Sequence, residues 1–281
     1  MYRIKLCMDL GLVQFGMPNE VQIPLYRKIG FEGFCVNWTP GMDVAALRRI
    51  ADKEGMIFQS IHAPFTKMAD MWEQTDVTET AVAELIDCVR ACAENKVPIM
   101  VTHAFIGFEK HSPTAFGLIN FGKVVDEAEK LGVKIAFENT EGEEYLAALM
   151  EHFKDRAHVG FCWDTGHEMC YNYGKDMIAL YGDRLFCTHL NDNLGIKDYG
   201  GKITWHDDLH LLPFDGIGDW EDIARRLNEH GFNEILTFEL SCKSKPNRHE
   251  NDVYDRMLVE EYLSHAYIRA CRFAELKRRM K

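Results

Sequence analysis

No two cysteines of this chain stand in a C-x-x-C pair, the spacing that a redox dithiol or a cysteine-ligated zinc would use. The nine cysteines are scattered, and Cys7, Cys35, Cys162 and Cys187 sit inside apolar runs. They read as small buried hydrophobes of a reducing compartment. No apolar run is long enough to span a bilayer, and no signal peptide precedes the strand-like start Met1-Tyr2-Arg3-Ile4-Lys5-Leu6. A soluble, cytoplasmic protein with no membrane partner is therefore expected. Basic charge is scarce: 32 Lys and Arg face 44 Asp and Glu, the net charge is −12, and the one dense basic run is Lys277-Arg278-Arg279. A dedicated nucleic-acid binder carries a basic stripe, so nucleic acid is not the expected partner, although a local metal cluster can still hold phosphate. No Gly-rich phosphate loop follows the first strand, where Asp9-Leu10-Gly11-Leu12 stands instead, which argues against a dinucleotide fold. Neither an internal repeat nor a low-complexity linker divides the chain, so residues 1–281 are expected to form one domain.

What is present is alternation. Apolar β-runs at Ile4–Met8, Gly33–Val36, Ile57–His62, Ile99–His103, Lys134–Glu138, Val159–Asp164, Leu185–His189 and Ile235–Glu239 are separated by helical patterns. Those patterns lie at Asn19–Ile29, Asp43–Lys53, Thr75–Asn95, Ser112–Leu131, Gly142–Phe153, Gly174–Tyr181 and Asp219–His230. Asp, Asn and Ser open them and Gly closes several, the usual helix punctuation. Eight such units predict a closed parallel (β/α)8 TIM barrel, which commonly runs to about 250 residues. A last helix is expected from about 252 to 279, with an apolar stripe through Tyr262, Leu263, Ala266, Ala270 and Ala274. That stripe is expected to pack on the barrel; a homo-oligomer contact is the alternative.

Six of the strands end on an imidazole or a carboxylate: His62, His103, Glu138, Asp164, His189 and Glu239. Such a group after an apolar run is costly to bury unless it is paired or bound to a metal. One instance is an ordinary buried polar residue; six on successive strands describe a polar ring at the C-terminal mouth, where barrels of this type keep their active sites. Glu138, Asp164, His189 and Glu239 make an oxygen-rich set suited to one divalent metal, Mn²⁺ first, with Mg²⁺, Co²⁺ or Zn²⁺ as alternatives. Glu138 and Glu239 are the candidate proton-transferring pair.

His167, three residues after Asp164, is a candidate proton carrier, substrate contact or ligand of a second metal. Asp208-Leu209-His210 places two donors on one side of an extended segment, either a metal clip or a charged loop surface. His62, His103, His210 and Trp163 complete the expected substrate contacts. The loop Asn191–Trp220 is expected to close over the site as a lid. Trp205, Phe214 or Trp220 would give it an apolar wall, and Gly195, Gly200, Gly201, Gly216 and Gly218 would serve as hinges. His111, His152, His158, His230, His249 and His265 read as solvated.

The motifs Ile61-His62-Ala63-Pro64, Glu138-Asn139-Thr140, Asp164-Thr165-Gly166-His167, Thr188-His189-Leu190-Asn191-Asp192 and Phe238-Glu239 resemble the xylose-isomerase-like TIM-barrel superfamily. So does the run His210-Leu211-Leu212-Pro213-Phe214-Asp215-Gly216-Ile217-Gly218-Asp219-Trp220. The resemblance implies a sugar isomerase or epimerase with a small carbohydrate-like substrate. In its ketose 3-epimerase branch Glu138, Asp164, His189 and Glu239 would be the ligands and His167 a substrate contact. The chain departs from that branch in having Glu138-Asn139-Thr140-Glu141 where an Asn-Arg pair is usual, and no Arg in Asn191–Lys197. The superfamily's dehydratases and C-glycoside-cleaving members imply a lyase alternative. Its three-zinc AP endonucleases imply another, since His62, His103, Glu138, Asp164, His167, His189, Asp208, His210 and Glu239 fill all nine ligand places of that branch.

Overall fold

A computed structural model describes residues 4–109, 112–196 and 203–280, with the backbone alone at positions 13 and 14. Gly200, Gly201 and His111 lie outside the described residues. The elements run β1 (Leu6–Asp9), α1 (Asn19–Ile29), β2 (Gly33–Asn37), α2 (Val44–Glu54), β3 (Ile57–His62), α3 (Asp76–Glu94), β4 (Ile99–His103), α4 (Ala115–Leu131) and β5 (Lys134–Glu138). Then follow α5 (Glu143–His152), β6 (Val159–Asp164), α6 (Thr165–Cys170), α7 (Met177–Tyr181), β7 (Leu185–His189), α8 (Trp220–Glu229), β8 (Leu236–Phe238), α9 (Asp252–Asp255) and α10 (Val259–Arg279).

All strands are parallel, in the order β7-β6-β5-β4-β3-β2-β1-β8. The ring is drawn together between β7 and β8, where Leu190 N–H donates to Thr237 O (2.8 Å), Glu239 N–H to Leu190 O (3.3 Å) and Thr237 N–H to Thr188 Oγ1 (3.1 Å). The result is the TIM barrel that the alternation predicts. Helix starts follow side-chain caps. Asp43 accepts from Ala46 N–H before α2, Thr75 and Thr78 form a reciprocal capping box before α3, and Asp219 accepts from Glu221 and Asp222 before α8. The fourth helical pattern starts later than expected, because Thr114 rather than Ser112 is its cap.

Two expectations are corrected. The segment after the strand-six carboxylate is already helical as α6, and Gly174 lies between it and α7. The C-terminal helix is not continuous from 252: α9 stops at Asp255, and α10 begins after Leu258, which is 75% exposed in extended conformation. From there Tyr262, Leu263, Ala266 and Ala270 of the stripe are buried against the barrel's own core and Ala274 is half-buried, while Phe273, outside the expected stripe, is buried beside them.

Strand parity decides which side chains reach the mouth. Ile99, Val101, Ala136, Cys162 and Cys187 pack together inside the ring. Two residues on from the last in each strand come His103, Glu138, Asp164 and His189, on the same inner face. Register then sets them side by side, His103 opposite Glu138 and Asp164 opposite His189. The alternate residues, among them Met100, Ile135, Phe137, Phe161 and Trp163, face the helices and join the larger core.

Candidate metal centre

Three imidazoles at the mouth are fixed by the same device. His62 Nδ1 lies 2.8 Å from Ala63 O, His167 Nδ1 3.0 Å from Asn139 O, and His210 Nδ1 3.2 Å from Glu239 O. A backbone carbonyl can only accept, so each Nδ1 carries hydrogen and the neutral ring keeps its lone pair on Nε2. Those Nε2 atoms face carboxylate oxygens: His62 at 3.1 Å from Glu138 Oε2, His167 at 3.5 Å from Asp208 Oδ1, and His210 at 2.8 Å from Asp208 Oδ2. Lone pair against carboxylate is repulsive unless a proton or a cation lies between. Asp208 Oδ1 is moreover buried without a hydrogen-bond partner.

Glu138 is the hub. Its Oε1 lies 2.6 Å from His189 Nδ1 and its Oε2 3.1 Å from His62 and 3.3 Å from His103. His189 Nδ1 also meets Glu239 Oε2 at 2.8 Å. Burial alone would raise the Glu138 carboxyl, yet His189, His103 and His62 hold it well below its ordinary value. Burial opposes charge on His189 too, and Cys162, Glu138 and Glu239 overcome it and carry the imidazole well above its usual range. For His210 the same contest, won by Asp208, ends at about 9. Asp164 behaves differently: burial pushes it up to about 6, since its nearest hydrogen bonds come from neutral groups, His167 N–H (2.6 Å) and Asn191 Nδ2 (2.8 Å). The carboxylates around His189 and His210 thus favour a positive charge at both positions.

The ligand atoms gather into groups in which all lie within 4.8 Å of one another: His62, His103 and Glu138; Glu138, Asp164, His189 and Glu239; His167, Asp208 and His210; and, with a thiol, Glu138, Cys162 and His189. The tautomers, the orphaned Asp208 oxygen and the donor types all fit divalent metal. Three carboxylates and an imidazole suit a hard cation; the two groups of paired imidazoles with a single carboxylate suit zinc as well. Asp208 and His210 thus join His167 rather than forming a loop surface.

Sequence reasoning missed the positioning residues. Asn139 accepts Asp164 N–H and donates to Asp164 O, both at 2.8 Å, while its own carbonyl fixes His167. Asn191 donates to Asp164 Oδ2, and a Cβ at Gly166 would lie 1.9 Å from its Oδ1, so the glycine of Asp164-Thr165-Gly166-His167 makes room for it. The signal was an asparagine one or two places after a strand-end ligand. Trp163, expected to touch substrate, points the other way. It is fully buried, its indole N–H donates to Glu168 Oε2 at 2.8 Å, and the Arg226 guanidinium lies 4.7 Å from its ring.

Above the ligands lies a cavity of about 490 Å³ lined by His62, His103, His167 and His210, by Phe65, Phe108, Tyr171 and Trp205, and by Glu141 and Lys245. Trp205 therefore supplies the expected apolar wall. Phe214 and Trp220 do not: they pack on each other (5.2 Å) away from this cavity, and Trp220 Nε1 donates to Asp192 Oδ2. Gly216 and Gly218 are no hinges. A Cβ at Gly216 would come within 2.2 Å of Asp192 Oδ1, and Gly218 N–H donates to that same oxygen, so both serve close packing around Asp192.

A parallel eight-stranded barrel with clustered candidate metal ligands at its C-terminal mouth is a TIM barrel with the makings of a metal site. Residues 23–258 match the family described as xylose isomerase-like TIM barrel, and the chain belongs to that family. Among curated proteins, the uncharacterised protein y4fM of Sinorhizobium fredii is 27% identical over 258 residues, 77% of this chain and 79% of its own. A probable endonuclease 4 of Chloroflexus aggregans is 28% identical over 157 residues, 47% of this chain and about half (53%) of its own length. Among solved structures, a zinc-bound IolI protein superposes with a TM-score of 0.74 at 17% identity, covering 97% of this chain and 98% of that one. The D-psicose 3-epimerase of Clostridium cellulolyticum H10 does so with a TM-score of 0.72 at 15% identity, covering 97% and 98%. Among the described residues, no helix is long and apolar enough to cross a membrane.

Proposed function

We propose that the chain is a divalent-metal-dependent isomerase or epimerase of a small polyhydroxylated carbonyl compound. One observation carries this reading: Glu138 and Glu239 reach His189 Nδ1 from separate strands, at 2.6 and 2.8 Å, on the floor of a cavity of small-molecule size. Glu138, Asp164, His189 and Glu239 would hold the metal, Mn²⁺ by preference, which supplies polarisation of a carbonyl and its neighbouring hydroxyl. Glu239, 19% exposed, turns toward the cavity and takes the proton from carbon. Glu138 returns a proton from the other side, with His62 and His103 on its second oxygen as the route by which that proton is replenished. His167 and His210 orient substrate hydroxyls.

A second reading, a three-metal phosphodiesterase, is favoured by the nine His, Asp and Glu side chains that fill three of the four neighbouring ligand groups. It is supported also by the likeness to proteins named probable endonuclease 4. The lining weighs against it. Lys245 is the one Lys or Arg among the described residues of the cavity, whereas a nucleic-acid backbone calls for a basic groove. Metal analysis of protein purified without chelators, hydrogen exchange into a ketose panel in D₂O, and nicking of abasic duplex DNA separate the two. About one metal per chain with exchange beside the ketose carbonyl is expected. Three zincs with nicking would replace the isomerase reading.

A further inference from the structure

Among the described residues of the cavity, Glu141 and Lys245 are the two charged ones that belong to none of the ligand groups. Glu141 follows β5 and is 8% exposed; its Oε1 accepts Gly107 N–H at 2.8 Å from the loop after β4, which leaves Oε2 for the cavity. Lys245 follows β8. In the closed ring β5 and β8 are three strands apart, so the two residues stand on different sides of the mouth. Phe65, Phe108, Tyr171 and Trp205 form the walls between them.

The Lys245 ammonium lies 3.7 Å from Asp208 Oδ2 and 5.5 Å from the centre of the Trp205 ring. The Asp208 contact is through-space attraction at a length beyond a good hydrogen bond. His210 and His167 lie closer to the Asp208 carboxylate, at 2.8 and 3.5 Å, than Lys245 does, and they leave Lys245 to a ligand. Lys245 also borders an adjoining cavity of about 460 Å³, which shares Asn37, His210 and Glu239 with the first. The described carboxylates of that second cavity are Asp9 and Glu239. Lys245 is the one Lys or Arg among the described residues of both cavities, and one ammonium suits a monoanion. A phosphate dianion is usually met by several cations or backbone amides together.

We propose that Lys245 anchors a carboxylate of the substrate while Glu141, across the cavity, accepts hydrogen bonds from its hydroxyl-bearing end, so that the substrate is a sugar acid. This rests on the metal-dependent small-molecule reading above, and it adds an orientation. Carboxylate and hydroxyl ends are sorted to different walls before the reacting carbon meets Glu239.

The test is equilibrium binding of uronates, the matching aldoses and the matching aldose 6-phosphates to the Mn²⁺-loaded full chain. Uronates are expected to bind about tenfold more tightly than aldoses, the discrimination a single well-placed charge contact supplies. Lys245→Met should remove that preference at unchanged metal content and Lys245→Arg should keep part of it. Glu141→Gln should weaken uronates and aldoses alike. A preference that survives in Lys245→Met would mean that the metal holds the carboxylate and would overturn the proposal. Tighter binding of the phosphates, or no binding of any uronate, would do so as well. Binding is read without turnover, so a silent ketose-exchange assay would sink the isomerase reading and leave this result standing.

Discussion

Two aspartates of one loop, Asp192 and Asp208, are both buried, and their surroundings could hardly differ more. Asp192 receives four N–H donors that cannot titrate: Asn193 and Gly218 on Oδ1 (both 2.9 Å), Phe214 (3.0 Å) and the Trp220 indole (2.8 Å) on Oδ2. Asp208 has His210, His167 and Lys245, all ionisable, and one oxygen without a hydrogen bond. The first carboxylate is complete within the protein and knots the loop to the start of α8. The second is complete only when a positive charge is supplied. Burial cost is met by structure in one place and by a ligand or proton in the other.

The largest effect expected from this contrast is catalytic. Glu239→Gln and Glu138→Gln should each lower turnover by about 10²–10⁴-fold while thermal unfolding stays close to wild type, because carboxylates of the mouth are not part of the scaffold. A drop in turnover that merely tracked lost fold would erase the distinction. The next effect is on stability. Asp192→Ala strands donors in the loop and should cost on the order of 3 kcal/mol in urea unfolding, whereas Asp208→Ala in chelator-treated protein should cost much less near pH 9. The pH dependence sharpens this. His210, lifted to about 9 because Asp208 outweighs the burial penalty, contributes stability to the metal-free protein. That contribution is full below its unfolded value of about 6.5 and is lost as pH rises through about 9. Asp208→Ala should flatten that stretch of the profile, and an unchanged slope would show that the pair is not linked. The smallest effect belongs to Trp163. Its replacement by Phe removes the bond to Glu168 and should cost about 1 kcal/mol with KM unchanged; a raised KM would return Trp163 to the substrate site.

The strand ends were legible because an ionisable residue closes an apolar run of five or six residues, and strand parity then fixes the face it shares. Lys134–Glu138 and Val159–Asp164 show it without help from the rest of the chain. The same parity, applied to Trp163, already turns it away from the mouth, since it alternates with Asp164. Asp192 and Asp208 were not separable in this way. Each is an Asp in a polar stretch, and what distinguishes them is donors that arrive from 22 to 41 positions away. Phe65, Phe108, Tyr171 and Glu141 were missed for a related reason: they stand on loops after different strands and meet only once the ring is closed. The break before α10 left no cap residue in the sequence, because Leu258 has no side-chain acceptor to announce it.

The narrowest join of the barrel lies between β7 and β8, where Leu190, Thr237 and the Thr188 hydroxyl provide the stitching. His189 stands on one lip of that seam and Glu239 on the other. A cation gripped by both would act as a clasp, fastening the first strand pair that could part to the chemistry performed above it. Loading would then be visible far from any substrate, as slower hydrogen exchange at the amides of Leu190 and Glu239, and an emptied centre would be a barrel with its button undone.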